Sequence, residues 1–358
     1  MHRINRRKEL RFFTEYEKFI NDSRSGRRLQ PNGKKISKET VANYHFTLQL
    51  IRKFCEKKQV ELRIRPAQWL NSRELERERN YWKKFYRLFT GYLYDECGYF
   101  DNYAGQNIKN IRTFFNYLNK EKVPGVGDFH KQFYVRKEEI SIFPLMPEEL
   151  NFLAHDQPFE NSLKPRMKEV KDFFVFGCTV ALRFSDLNAL KKNNVRQVNG
   201  NHYLAVRSIK TGIDTLIKLP PNAVNIIIKY SRLKKRLLPK FNLTNMNKFI
   251  KRLLEKAGFT QTVLVSRNKR GKAVELRKGE DKKMLYRFCD AACTHTMRRT
   301  AITTMLSLGV PEQIVRKISG HAPNSKEFFR YVSWSQAYQD QETEKMHERL
   351  KEKKLQVA

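Results

Sequence analysis

The sequence predicts a mainly α protein with a small β component, an α+β chain built from a helical domain followed by a mixed one. Three observations carry that expectation. Apolar residues recur at helical spacing through most of the 358 residues, whereas period-two runs are confined to two short regions, 202–220 and 263–276. Helix and strand breakers cluster between 123 and 147, where Pro124, Gly125, Gly127, Pro144 and Pro147 fall together and mark a linker. A chain of this length has room for a separate core on each side of such a linker.

Taken in order, residues 5–20 place Leu10, Phe13, Tyr16, Phe19 and Ile20 on one helical face, and the basic loop SRSGRRLQPNGKKIS follows. We read residues 1–36 as this N-terminal helix and loop. Ser37 is a cap for the next helix, whose stripe is Val41, Tyr44, Leu48, Ile51 and Phe54. Further helices are expected around Trp82, Phe85, Leu88, Phe89, Tyr92 and Leu93, and around Ile108, Ile111, Phe115 and Leu118, completing a small helical domain over 37–122. Beyond the 123–147 linker, a second domain over 148–335 opens with helices at 150–153 and 170–182. A hairpin in HYLAVRSIKTGIDTLIKLP follows, with Lys210 at the end of its first β-rich run, before Thr211 and Gly212. Helices are then expected over 224–238 and 246–254, separated by Leu238-Pro239, and the second is closed by Lys256 and Gly258. Two short β runs, 263–265 and 273–276, flank SRNKRGK, a basic turn expected to reach phosphate. The tail, 336–358, is charged and helix-prone.

The charge narrows the partner. Seventy-two Lys and Arg against thirty-seven Asp and Glu leave a formal net charge of +35, far more than solubility requires. Basic residues interleave with aromatics along the whole chain, which suits a folded nucleic-acid binder rather than a basic tail. A membrane is the competing polyanion, but no apolar run approaches the roughly 18 residues a spanning helix needs, and no signal-peptide pattern opens the sequence. A cytoplasmic protein is expected, with no membrane partner. The cysteines (Cys55, Cys97, Cys178, Cys289, Cys293) are odd in number and lie mostly in apolar helix patterns, as reduced thiols do. Cys289, Cys293 and His295 lack a fourth ligand at suitable spacing, so no metal site is expected.

Chemistry concentrates between His295 and Tyr331, in HTMRRTAITTMLSLGVPEQIVRKISGHAPNSKEFFRY. His295 and Arg298 are three apart near the start of a helix carrying Met297, Ile302, Met305 and Leu306, so they share a face. Gly309 ends that helix, Pro311 starts the next, and Gly320 ends it, leaving His321 on a loop just past a helix terminus. Ser325 caps a third short helix that carries Tyr331. A phenol is a weak nucleophile at neutral pH, and a phosphodiester repels anions. A site for tyrosine attack on such a diester must therefore spread cationic donors over its non-bridging oxygens, which arginine forks do without a metal.

HxxR, then GH, then a tyrosine ten residues on resembles the tyrosine recombinase (phage integrase) family, and in detail the integrases of Bacteroides-group mobile elements. Many members of that family have a step of nine. Here Ala322, Pro323 and Asn324 read as a slightly longer loop. The family's first arginine lies in a pattern close to G-x-R-x-S-[DE]-L, and FGCTVALRFSDLNAL places it at Arg183, with Ala181 where the pattern has glycine. Ser185 and Asp186 read as caps of the following helix. Lys210 matches the family's hairpin lysine.

The resemblance implies a helical core-binding domain and a recombinase catalytic domain. It also implies a site made of Arg183, Lys210, His295, Arg298, His321 and Tyr331, and a site-specific recombinase that integrates or excises a mobile element. By the same resemblance, Tyr331 forms a 3′-phosphotyrosyl link and releases a 5′-hydroxyl, with neither ATP nor a metal. Arg183 and Arg298 clamp the phosphate, Lys210 protonates the leaving oxygen, His295 assists proton transfer at the tyrosine and His321 donates to a phosphate oxygen. The implied partners are double-stranded DNA at specific sites, a homo-oligomer, taken as a tetramer on two duplexes, that docks by its charged tail, and accessory DNA-bending proteins in a bacterial cytoplasm. The rival readings are a type IB topoisomerase-like relaxation of DNA and a DNA binder that keeps the fold without cleavage.

Overall fold

The computed structural model describes residues 9–121, 125–279, 281–322 and 325–355. Val123 and Pro124 of the expected linker, and Pro323 and Asn324 of the loop before Tyr331, lie outside them. The chain forms two compact units, one of residues 1–140 with 266–275 and one of 141–265 with 276–358.

In the first unit, β1 (Leu10–Arg11) pairs antiparallel with β2 (Arg63–Ile64). The helices are α1 (Phe12–Ser25), α2 (Lys38–Lys58), α3 (Ser72–Gly91) and α4 (Asp101–Glu121). Capping follows the residue chemistry. Ser37 accepts from the Thr40 amide to start α2, and Asn71 with Glu74 forms a reciprocal capping box at α3. The core is aromatic. Phe114 of α4 meets Phe12, Tyr16 and Phe19 of α1 at ring-centroid distances of 5.3, 4.6 and 5.7 Å, and Trp82 stands edge-on to Phe115 at 4.8 Å. Between α2 and α4 a buried polar set fixes alignment: the Thr47 hydroxyl donates to Asn107 (2.7 Å) and accepts from Asn110 (2.9 Å). The first half of the expected linker belongs to this core, since Val126, Phe129 and Phe133 are buried in it.

The hairpin of Ser266–Lys269 and Lys272–Glu275 also packs in this unit, although the chain on both sides of it belongs to the other. Its turn has Arg270 and Gly271 at φ 55° and 82°, the two left-handed positions of a two-residue hairpin loop. The Asp101 carboxylate accepts from both turn amides, Arg270 at 2.9 Å and Gly271 at 2.8 Å. Glu138 accepts from the Arg267 guanidinium (2.9 and 2.7 Å) and from the Asn268 amide. Burial pushes the Glu138 carboxyl up, but Arg267 and the amides of Asn268 and Asn102 outweigh it, and its pKa is lowered. Arg270 pairs with Asp95 at 2.6 Å and lies over the Tyr94 ring. Both arginines of the basic turn are therefore engaged inside the unit, and cationic charge for a phosphate remains on Lys269 and Lys272.

The second unit is built round α7 (Pro165–Val180), in which nearly every residue from Val170 onward is buried, as expected of a helix covered on all sides. Around it lie α5 (Pro147–His155), α6 (Gln157–Ser162), α8 (Phe184–Asn188), a three-stranded meander β3 (Val195–Val198), β4 (Asn201–Arg207) and β5 (Asp214–Lys218), then α9 (Pro221–Lys229) and α10 (Leu243–Lys256). After them come the β6 (Thr262–Val263) and β7 (Tyr286–Arg287) pair, α11 (Phe288–Ala291), α12 (Thr294–Ser307), α13 (Glu312–Ser319) and α14 (Lys326–Leu355). α9 stops at Lys229, short of the expected 238, although Leu237 and Leu238 are still buried beyond it. At the α9 end, Tyr230 donates to Asp172 (2.8 Å) within a cluster that includes Lys171, Lys229 and Glu160, and that pairing ends the helix on the core. The residues around Tyr331 and the charged tail form one continuous helix, α14, rather than a short helix and a separate tail.

α12 crosses α7 closely. A Cβ on Gly177 would sit 2.5 Å from Met297 Sδ and 3.0 Å from Leu187, so glycine is required for that approach. Gly177→Ala should lower stability by about 1–3 kcal/mol through overpacking, read as a lower denaturant midpoint. In the other unit, Asp101→Asn can satisfy only one of the two turn amides, so one of Arg270 and Gly271 should exchange its amide hydrogen about tenfold faster, as loss of a charge-assisted bond of ~1.5 kcal/mol implies.

Candidate active site

Arg183, Lys210 and His321 project from junctions of the second unit, His295 and Arg298 from the first turns of α12, and Tyr331 from an early turn of α14. Ala181 caps α7 in the left-handed region (φ 55°), where the pattern above has glycine, at a cost on the order of 1 kcal/mol. The turn ends α7 abruptly, and the chain enters α8 through Arg183, extended at its N-cap. Arg298, on the buried face of α12, points back to the same corner and is only 4% exposed. Its Nη1 donates to the Ala181 carbonyl at 2.8 Å, and its Nη2 lies 3.3 and 3.2 Å from the two ring nitrogens of His321. Near-equal distances to both nitrogens put the guanidinium over the imidazole ring rather than in line with either lone pair. Tyr331 stands beside the same ring, with centroids 6.0 Å apart and planes inclined by 55°, and Phe328 backs both. His321 follows Gly320, the left-handed cap of α13.

Lys210 lies at the exposed tip between β4 and β5, after the last ladder pair, Arg207 with Asp214. The tip closes on itself, Gly212 N–H donating to the Ser208 carbonyl (2.7 Å) and Ser208 N–H to that of Ile213 (2.9 Å). Its root is tied to the Arg183 corner by Asp186. That buried carboxylate accepts from the Ile209 amide at 2.9 Å and from the Ser208 hydroxyl at 3.2 Å, and Ser208 Oγ in turn accepts from Arg183 at 3.3 Å. Asp186 is thus not the helix cap its position suggests. A carboxylate between Phe184 and Leu187 in a five-residue helix faces inward and must take donors from whatever packs there. The apolar neighbours of Asp186 were the available signal, and Ser208, two residues before Lys210, carried none.

The electrostatics are one-sided. Burial first and then Arg183 bring the Arg298 pKa down to about 10, with Tyr331 and Asp186 opposing. His321 is pushed down to about 3, first by burial and then by Arg298, Arg183 and Arg316, with Glu327 opposing. His295 keeps an open edge to solvent, yet the protein around it and the cations Arg299, Arg298, Arg183 and Lys210 hold its pKa below the usual value. Both imidazoles are neutral at pH 7, and the positive charge around them waits for an anion. Among the described residues no group of three acidic, His or Cys side chains is placed to hold a metal ion, and no helix is long and apolar enough to cross a membrane.

No family model matches the chain and no curated protein matches it. Solved structures do. A XerH site-specific recombinase bound to a palindromic difH substrate, in a post-cleavage complex, superposes with a TM-score of 0.59 at 11% identity, covering 92% of this chain and 84% of that one. The fold is that of the site-specific recombinases. A lambda integrase tetramer bound to a Holliday junction gives 0.57 at 13% identity over 90% of this chain and 81% of that one. The Tn1549 transposon integrase in complex with transposon right-end DNA gives 0.55 at 14% over 90% and 94%. The recombinase fold thus spans both units.

Two outcomes follow from the site. A histidine whose folded pKa lies near 3 against an ordinary 6.5 binds a proton in the unfolded chain before the folded one, so stability falls as pH drops below about 6.5 and towards 3. His321→Asn should lose less stability than the wild type between pH 6.5 and 4, measured by denaturant titration at each pH. Asp186→Ala removes the acceptor of the Ile209 amide and should cost about 1–3 kcal/mol, seen as a lower melting temperature.

Proposed function

We propose that the chain is a site-specific DNA recombinase of the integrase type, cutting and rejoining DNA through Tyr331. One observation carries this. Arg183, Arg298 and Lys210 lie within electrostatic reach of His295, and Arg298 also packs against His321 beside the Tyr331 ring. Among the described residues the principal carboxylate there is Asp186, which is occupied by Ser208 and Ile209. Such a site suits a phosphodiester held in line with a phenol. The fold supports the reading, because its solved counterparts are recombinases and integrases on their DNA substrates. The +35 charge supports it too.

In this mechanism Arg183 and Arg298 hold the non-bridging oxygens, each by a charge-assisted fork. Tyr331 Oη attacks phosphorus, the bond to the 5′-oxygen breaks, and Lys210 Nζ gives that oxygen a proton. The diester energy is kept in the 3′-phosphotyrosyl bond, so rejoining is the reverse reaction and needs no ATP. The helical first unit would serve as the core-binding domain, gripping the duplex with residues 37–122, and 148–335 would form the catalytic domain. α14, beyond Tyr331, would dock on a second copy within a tetramer.

A nicked suicide duplex tests the reading. The full chain should form a covalent protein–DNA adduct, and Tyr331→Phe should bind the same DNA without one. Arg183→Ala should lose on the order of 10² in cleavage rate or more. With sulfur in place of the scissile 5′-bridging oxygen, Lys210→Ala should recover and Arg183→Ala should not. Salt-sensitive binding with no adduct on any substrate would leave a DNA binder of this fold.

A further inference from the structure

His321 entered the sequence reading as a donor to phosphate, and the hydrogen bonds around it point elsewhere. Ser319, the last residue of α13, is buried, and its hydroxyl has one proton to give. That proton goes to the Val315 carbonyl at 2.6 Å, the usual return of a helical serine to the residue four before it. The same oxygen lies 2.8 Å from His321 Nδ1. With its hydrogen committed to Val315, Ser319 Oγ can only accept from Nδ1. The ring nitrogen facing it must then carry the hydrogen, and in a neutral imidazole Nε2 is left with a bare lone pair.

We propose that Ser319 is a positioning residue that holds His321 in the Nδ1–H tautomer, so that Nε2 enters the reaction as the acceptor of the Tyr331 phenol proton. This rests on the recombinase reading above for the identity of the reaction, but the tautomer itself does not. The polar groups around the ring support the role. Arg298 is a donor only and lies over the ring, Tyr331 stands beside it, and Phe328 offers no hydrogen to donate. The charged groups around it are Arg298, Arg183, Arg316 and Glu327. In the free protein burial, and after it three cations, keep the imidazole neutral, and its pKa is far too low for it to act as a base. A bound phosphodiester changes both conditions. It draws the Arg298 fork onto its own oxygens and so moves a cation off the ring, and it adds the anion that makes an imidazolium tolerable. The base is thus armed by substrate. In the step, the Oη–H bond of Tyr331 breaks and its proton goes to Nε2. The Oη–P bond forms as the P–O5′ bond breaks, and O5′ takes its proton from Lys210. Rejoining returns each proton to its source.

Ring-nitrogen NMR on the full chain, with 15N-labelled histidine and His321→Asn to assign the signal, reads the tautomer directly at pH 7 without DNA. The Nδ1–H pattern is expected for the wild type and for Ser319→Thr, which keeps the hydroxyl. Ser319→Ala should shift His321 towards the Nε2–H form. On the suicide duplex Ser319→Ala should cleave on the order of 10²-fold more slowly, with no recovery on the 5′-sulfur substrate, because sulfur relieves the leaving group and not the nucleophile. Ser319→Thr should restore most of the rate. An Nε2–H or doubly protonated His321 in the wild-type chain would overturn the proposal whether or not the protein cleaves DNA. So would a Ser319→Ala variant that keeps the Nδ1–H pattern. If Ser319→Ala does not fold, the wild-type and Ser319→Thr spectra still decide. Absence of any covalent adduct, by contrast, would overturn the recombinase reading and leave the tautomer assignment standing.

Discussion

A guanidinium buried at the end of a helix organises the second unit. Taking an unpaired cation out of water costs several kcal/mol, and Arg298 is almost wholly out of it. What offsets that cost is the Ala181 carbonyl, one of the acceptors that a helix C-terminus leaves without a partner and on which its partial negative charge collects. The pairing needs α7 to stop sharply, which is why a left-handed residue is accepted at 181 despite its Cβ. It also needs α12 to lie close enough for Arg298 to reach, which is what Gly177 permits. Arg183, the next exit from the same turn, is then necessarily a neighbour of Arg298. Two helix geometries and one missing side chain thus bring two arginines together that the chain separates by more than a hundred residues.

Like charges held this way repel, and the fold keeps them together with little local compensation. Asp186 is close enough to favour the charged form of Arg298, but its oxygens are spent on Ser208 and Ile209. The result is a corner whose electrostatic tension is relieved only by an added anion. Burial and the same field together hold both histidines neutral, since a third or fourth positive charge there is costlier than an uncharged imidazole. A single arrangement therefore favours a phosphate and fixes which groups can carry protons before it arrives.

Much of this was legible in the sequence, and the parts that were not share a physical cause. Helices with explicit end signals, such as α2 behind Ser37 and α12 before Gly309, announce themselves because local interactions decide their ends. The same holds for the spacing of His295, Arg298, His321 and Tyr331. Contacts decided across the chain were hidden. Asp186 read as a cap because its sequence neighbours are all that a local rule can see, and its partners lie 22 and 23 positions away. The 266–275 hairpin read as a basic turn for phosphate because nothing nearby shows that Asp101 and Glu138 await its amides and arginine. α9 looked longer than it is because Leu237 and Leu238 keep an apolar pattern after Tyr230 has anchored the helix end on Asp172. Ser319 carries no local signal in the sequence, and only the position of His321 past Gly320 gives its oxygen a second partner.

The placement of acidic residues bears on how so basic a chain folds at all. Among the described residues Glu78, Asp101, Glu138, Asp172 and Asp186 are buried, against only Lys171 and Arg298 of the lysines and arginines. Each has an internal task. Glu78 accepts from the Trp82 indole and Arg63, Asp101 from two turn amides, Glu138 from Arg267, Asp172 from Tyr230, and Asp186 from the root of the Lys210 hairpin. Carboxylates suit such positions because ionised oxygens accept several short bonds at once. Spending acids inside leaves the surface more positive than the net charge of +35 suggests. The molecule is thus held together partly by its minority charge, and its majority charge faces solvent, where a polyanion can displace the counterions it gathers.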